Sequence, residues 1–370
     1  MLEHRFEGPP FTIGIEEELM LIDAETFDLA QEIESILDGV PEEITGHVKP
    51  ELFQSVLEVA TTPCQAVGEA VDQLTGLRRA VTEVAERNGY LVGAAGTHPF
   101  ALPEDQRIVD RERYHLIIEQ LAWIARQELI FGTHVHVAID GADRAIYVAD
   151  GIRRYLPLLL ALSSNSPFWR GQRSGMMSTR AAIFRSFPRE GVPPHYGTWE
   201  IFSRRVELMM EAGAIEDYTY LWWDVRAHPN LGTVETRVFD QQTRLEDTAA
   251  LAAMTLSLAH RLSSLFDDGE VLVEVPTELV DDNKVRAALR GLEGELIDFP
   301  RRRSAPAPEM VRHLVDLLTE DAQELGCEDE LAGVETLITR GTGARRQLEL
   351  VDGGADMRAL ASEIAEKTRV

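Results

Sequence analysis

The chain has 370 residues, 44% hydrophobic and 27% charged, the balance of a globular protein with a large core, which excludes a disordered or fibrous chain. With 36 basic against 63 acidic residues the formal charge is −27, and a field of that sign repels nucleic acid phosphates and anionic lipid heads. Cys64 and Cys327 are too few for a disulfide framework or a thiolate zinc site, and no unbroken apolar run reaches about 18 residues, so neither nucleic acid nor a membrane is expected as a partner. Met1 to Pro10 carries Glu3, Arg5 and Glu7 before any apolar run, which is unlike a signal peptide and leads to the expectation of a cytoplasmic protein.

Strand-like segments are predicted at Phe11 to Ile22 and Leu52 to Ala60, followed by a helix from Gln65 to Asn88 closed by Gly89. Tyr90 to Gly96 reads as a strand, Arg111 to Glu128 as a helix, Thr133 to Ile139 as a strand and Arg144 to Ser163 as a mostly apolar helix. Asn165 to Tyr196 is rich in Ser, Gly, Pro and Arg without a sustained period, and a segment of that length inside a compact domain is usually functional. Trp199 to Glu211 is helical, and Thr233 to Asp240 is the last clear strand. Beyond Leu245 the pattern is helical, with Asp298 to Pro308 as the best linker candidate.

The chemistry sits on the polar faces of these strands. In Ile13-Gly14-Ile15-Glu16-Glu17-Glu18-Leu19-Met20-Leu21, period-two alternation sets Glu16 and Glu18 on one face and Glu17 with the apolar residues on the other. Two carboxylates about 7 Å apart repel unless a cation or solvent separates them, and hard oxygen ligands suit Mg²⁺ or Mn²⁺; a solvated strand face is the alternative. His134 and His136 likewise share a face, as do Glu235 and Arg237. Gln54 and Glu58 share parity, while Glu51 lies on the opposite face of a regular strand and could join them only at the strand entrance after Pro50 or through a bulge. Four strands with this pattern together point to one anionic face holding divalent cations, which in turn bind phosphate. Neither a P-loop nor a dinucleotide fingerprint is present, so phosphates would be held by cations and arginines. Arg170, Arg173, Arg180, Arg185 and Arg189 of the long segment are available, with Arg180 and Arg185 preferred. Gly96-Thr97-His98-Pro99-Phe100 reads equally as a site-lining or a structural turn. Trp222-Trp223-Asp224-Val225-Arg226 offers an acid and a base at i and i+2, or else an aromatic core strand with an exposed ion pair.

In this order, Gly14-Ile15-Glu16-Glu17-Glu18, Gly96-Thr97-His98-Pro99-Phe100, Gly132-Thr133-His134-Val135-His136-Val137, Trp223-Asp224-Val225-Arg226 and Gly232-Thr233-Val234-Glu235-Thr236-Arg237-Val238 resemble the carboxylate–amine ligases of the glutamate–cysteine ligase type 2 family. The resemblance covers about residues 10 to 245. It implies an α+β fold: a glutamine synthetase-type catalytic domain with a curved antiparallel sheet, helices on its convex side, and a helical C-terminal part, the whole being one domain over 1–370 with the sheet in 1–245 and helices in 246–370. It further implies ATP and two or three Mg²⁺ ions on the concave face. Glu16, Glu18, Glu51, Glu58, His136 and Glu235 would be the metal ligands. Arg237 and Arg180 would act in catalysis, and Arg180, Arg185, Arg226 and His134 would bind the nucleotide. Arg226-Ala227-His228-Pro229 departs from the family, where many members continue with Pro-Ser after the arginine.

The implied reaction joins the γ-carboxylate of glutamate to the amine of cysteine, or of another acceptor, through an acyl phosphate, with a homodimer as the expected assembly. No protein nucleophile is needed. A metal-dependent hydrolase using the same carboxylates and histidines, and a hydrated acidic binding module, are the competing readings.

Overall fold

The computed structural model describes residues 1–370. Its frame is one mixed-length antiparallel sheet. β1 (Ile13–Asp23) is the longest strand, and its alternation is real: Ile13, Ile15, Leu19 and Leu21 are fully buried beneath the sheet, while Glu16 and Glu18 stay half-buried on the other face. After α1 (Ile33–Gly39), β2 (Val48–Pro50) and β3 (Val56–Ala60) form a hairpin, α2 (Val67–Arg87) crosses the apolar face, and β4 (Tyr90–Gly93) pairs with the C-terminal end of β1. The chain continues through α3 (Glu112–Leu121), β5 (Gly132–Ala138), α4 (Ala142–Arg153) and α5 (Leu156–Ser163). Short pieces follow: β6 (Phe168–Trp169), β7 (Gln172–Arg173), α6 (Thr179–Phe184) and β8 (Glu190–Gly191). α7 (Trp199–Glu211) and β9 (Trp222–Trp223) lead to β10 (Val225–His228) and β11 (Thr233–Asp240), and the sheet order is β10-β11-β5-β1-β3-β2.

The remainder is helical apart from one hairpin. α8 (Leu245–Asp267) and α9 (Thr277–Arg290) precede β12 (Glu295–Asp298) and β13 (Arg303–Pro306), then come α10 (Ala307–Leu325), α11 (Glu328–Arg340), α12 (Gly343–Asp352) and α13 (Met357–Thr368). α8 has the length and hydropathy of a membrane span, but 72% of its apolar window is buried because α2, α4, α10 and α11 surround it. It is the centre of the core. A single apolar cluster runs from Phe6 to Leu337, uniting the helices beneath the sheet with the C-terminal ones, and α13 closes on β4, where Thr368 Oγ1 accepts from the Ala94 amide at 2.9 Å.

Four sequence expectations change. The strand expected from Leu52 begins only at Val56, since residues 51–55 turn between β2 and β3. The helix expected over Arg144 to Ser163 is two helices, broken at Arg154 and Tyr155 where Pro157 enters the first turn of α5. The helix expected to reach Glu128 ends at Leu121, because Ala122 takes a positive φ of 48°. The Asp298 to Pro308 linker is instead the β12–β13 turn and strand running into α10; its polar, proline-containing sequence hides a strand of only four residues.

Candidate active site

Residues directly opposite in an antiparallel pair share a face, so the register alone assembles the site. Arg226 opposes Glu235, Glu235 opposes His136, and His136 opposes Gly14. His134 opposes Glu16, and Glu18 opposes Glu58, which in turn opposes Lys49. These rows form the floor of a cavity of about 400 Å³. Glu17, one residue out of phase, points below the sheet. There its carboxylate takes Arg78 Nε and Nη2, each at 2.7 Å, and the Thr248 hydroxyl at 3.0 Å, with both members of the ion pair fully buried.

At the centre, His136 Nε2 stands 3.5 Å from Glu16 Oε1 and 3.8 Å from Glu235 Oε1, while its Nδ1 lies 3.0 Å from Thr233 Oγ1. Burial disfavours the charged imidazole, but the Glu16 and Glu235 carboxylates override it and hold His136 above its ordinary value. Against the same burial, His136 and His134 keep Glu16 well below the usual carboxylate range, and Arg226 and Arg237 do so for Glu235. Arg226 Nε is 2.6 Å from one Glu235 oxygen and Arg237 Nη1 meets the other, so the carboxylate is clamped between two guanidinium groups.

The Nε2 atoms of both His134 and His136 are buried and have no hydrogen-bond partner. Glu16, His136 and Glu235 each offer a ligand atom within 4.8 Å of the other two. An orphaned imidazole nitrogen between two carboxylates fits a divalent cation of the Mg²⁺ or Mn²⁺ class, and a hydroxyl on Nδ1 is the kind of partner that orients a ligating ring.

A second acidic group adjoins the first. Burial and the Glu16 carboxylate push Glu58 up to about 7 despite Lys49 at 3.4 Å, and burial together with Glu58 and Glu18 raises Glu51 well above its ordinary value. Glu51 arrives neither through a bulge nor as part of the Glu58 strand. It sits just past Pro50 in the hairpin, two residues beyond Lys49 and therefore on that residue's face, diagonal to Glu58. Gln54 does not join them: it lies in the turn, its amide 3.5 Å from the Ile108 carbonyl.

The arginines divide. Arg180, on a helix capped by the Ser178 hydroxyl, enters the cavity almost fully buried; its Nη atoms lie 3.5 and 3.3 Å from the Val238 and Arg237 carbonyls, and its Nε is unpartnered. It packs over Gly132, where a Cβ would lie 2.4 Å from Nη2. Arg185 is not brought to the site. Five residues after Arg180, and so about 140° round from it at the end of the helix, it is half-exposed and pairs with Asp281 of α9 at 2.5 Å. Arg170 and Arg173 likewise pair outside, with Glu104 and Asp352.

Asp224 and Arg226 do not form an exposed pair. The break between β9 and β10 turns Asp224 onto buried Lys284 at 2.6 Å while Arg226 faces Glu235. His98 is structural: burial drives it down to about 4, its Nε2 lies 3.0 Å from the Phe27 carbonyl and its Nδ1 accepts from the Ala101 amide at 3.0 Å. Cavity residues that sequence reasoning missed include Glu128, Arg113 and Tyr114. They come from α3 and the turn after it, which carry no strand alternation to mark a face.

The chain matches the profile of glutamate-cysteine ligase family 2 over residues 12–365. It is 43% identical over 368 residues to a Rubrobacter xylanophilus protein named "Putative glutamate--cysteine ligase 2-1", covering 100% of this chain and 97% of that one. A bifunctional glutathione synthetase from Pasteurella multocida superposes with a TM-score of 0.70 at 14% identity, over 97% of this chain and 52% of that one, so this chain spans about half of that protein. A glutamate–cysteine ligase from Francisella tularensis, solved in complex with AMP, gives 0.69 at 12% identity over 100% of this chain and 90% of that one. At such identities the likeness is one of fold, and it bears out the α+β architecture. Fold and family together define a ligase. The chain belongs to glutamate–cysteine ligase family 2.

Proposed function

We propose that this ligase uses ATP to join the γ-carboxylate of glutamate to the amine of cysteine, or of another acceptor, through an acyl phosphate. The observation that carries the reading is the convergence of Glu16, Glu18, Glu58, His136 and Glu235 from four strands onto one floor, with Arg180 and Arg237 beside it. In the first step the γ-carboxylate oxygen attacks the terminal phosphoryl group and ADP leaves. In the second the amine attacks the acyl carbon, inorganic phosphate leaves, and the amine's proton is released.

Glu16, His136 and Glu235 would hold a divalent cation, with Glu18, Glu51 and Glu58 available for others; such cations supply charge neutralisation at the phosphates. Arg226 holds Glu235 in its ligating orientation. Arg237 bridges Glu235 and the region of His134, 3.5 Å away, and is suited to stabilise charge on the transferred phosphoryl oxygens. Arg180, buried without a carboxylate partner, supplies a second desolvated donor fork for phosphate, and His134 a neutral nitrogen, since burial and Arg237 hold it below its ordinary value. The reading includes a cytoplasmic setting, small-molecule substrates and a homodimer.

The test is phosphate release from ATP with purified protein, Mg²⁺, and glutamate plus a panel of amines. Release should require both amino acids. Glu235→Ala should abolish it with the fold intact, and Arg237→Lys, which keeps charge but loses the planar fork, should lower kcat by about 10²-fold. Near-normal ADP release from Glu235→Ala, or ATP-independent hydrolysis of an amide or phosphoester, would sink the assignment.

A further inference from the structure

Five lysine and arginine side chains line the cavity: Lys49, Arg113, Arg180, Arg226 and Arg237. Three have their charge committed to a carboxylate, Lys49 to Glu58 and Arg226 and Arg237 to Glu235. The two others differ in setting. Arg180 is buried against the sheet, whereas Arg113 is exposed on α3.

α3 lines the cavity, and two adjacent residues of it reach segments next to the two ends of the sheet. Tyr114 Oη donates to the Pro50 carbonyl at 2.8 Å, anchoring the helix beside β2, and Arg113 Nη2 reaches Thr219 Oγ1 at 3.3 Å in the segment that leads into β9 and β10. The Arg113 guanidinium lies 5.4 Å from the centroid of the Tyr220 ring, so its orientation is held by an aromatic face while no carboxylate meets its charge. In a chain of net charge −27, a guanidinium at the mouth of the cavity without an acidic partner is a prepared receptor for an anion. A single planar fork at the rim matches one carboxylate, presented bidentately. The polyphosphate is assigned to Arg180 and Arg237 farther in.

We infer that Arg113 binds the α-carboxylate of an amino-acid substrate at the cavity mouth, making it a specificity-determining residue that selects amino acids over the corresponding simple amines or acids. This rests on the ligase reading above and extends it to the substrate class.

Two matched pairs test it: cysteine against 2-aminoethanethiol as acceptor with glutamate present, and glutamate against 4-aminobutyrate as donor with cysteine present. Each pair differs only by the α-carboxylate. In one of the two series the native enzyme should favour the carboxylated member by about tenfold or more in kcat/KM, the size expected of a charge-assisted pair. Arg113→Gln should bring that ratio close to one by raising KM for the carboxylated substrate, with KM for ATP and the thermal midpoint unchanged. Arg113→Lys should retain part of the preference. The responding series identifies the carboxylate as acceptor's or donor's. The inference is overturned if Arg113→Gln keeps the native ratios in both series, if the native enzyme shows no preference in either, or if only KM for ATP rises. Absence of any ATP-dependent condensation by the native enzyme would instead remove the ligase reading itself.

Discussion

Glu58 shows how a single side chain can report on the site. Its folded-state value of about 7 lies above the ordinary 4.5, so between those limits the folded protein binds the proton more tightly than the unfolded chain does. Stability contributed by Glu58 therefore falls as pH rises through that window, and the loss levels off above about 7. Glutamine cannot ionise, so the stability advantage of Glu58→Gln over the native protein should grow from pH 4.5 to about 7 and then stay constant in metal-free buffer. Paired denaturant titrations would show it, and a difference independent of pH would contradict the burial and charge crowding assigned to this residue. For the same reason cation binding should displace protons below about pH 7. Calorimetry in buffers of different ionisation enthalpy would detect that release.

At the scale of elements, β1 serves two faces at once, with Glu16 and Glu18 above and Glu17 below. Glu17 secures α2 through Arg78, whose remaining N–H groups reach the Thr243 and Gln242 carbonyls at 2.8 Å each, so one ion pair ties β1, α2 and the start of α8 together. Removing one partner leaves a buried charge without compensation. Arg78→Met should therefore cost about 3–5 kcal/mol in a denaturant unfolding series. The double substitution with Glu17→Leu should recover much of that loss, and if it does not, the penalty comes from lost packing rather than the stranded charge. The hairpin of β2 and β3 makes a comparable contribution to the site: by folding back after Pro50 it brings Glu51 beside Glu58, which no single extended strand could do.

For the whole molecule, a charge of −27 imposes self-repulsion that is greatest at low ionic strength. Raising NaCl from about 0.05 to about 0.5 M should raise the Tm by several degrees through screening. Millimolar Mg²⁺ or Mn²⁺ at matched ionic strength should raise it further by a few degrees, because the cation binds only where the acids converge. Glu235→Ala should keep the salt effect and lose the cation effect. A cation increment that survives in that variant would mean diffuse screening and no organised centre.

Strand alternation by itself was enough to pick out Glu16, Glu18, His134, His136, Glu235 and Arg237 and to set Glu17 apart, because side-chain direction in a strand is a local, period-two property. The motif order carried the family for the same reason: each motif is one strand or one turn. Which strands lie side by side is a different matter. That Arg226 meets Glu235 while Asp224 turns to Lys284, that Arg185 leaves the site Arg180 enters, and that α3 brings Arg113 and Tyr114 to the cavity all follow from register, a one-residue break and the docking of a helix. Those are contacts between residues distant in sequence, and only the packed chain brings them within reach.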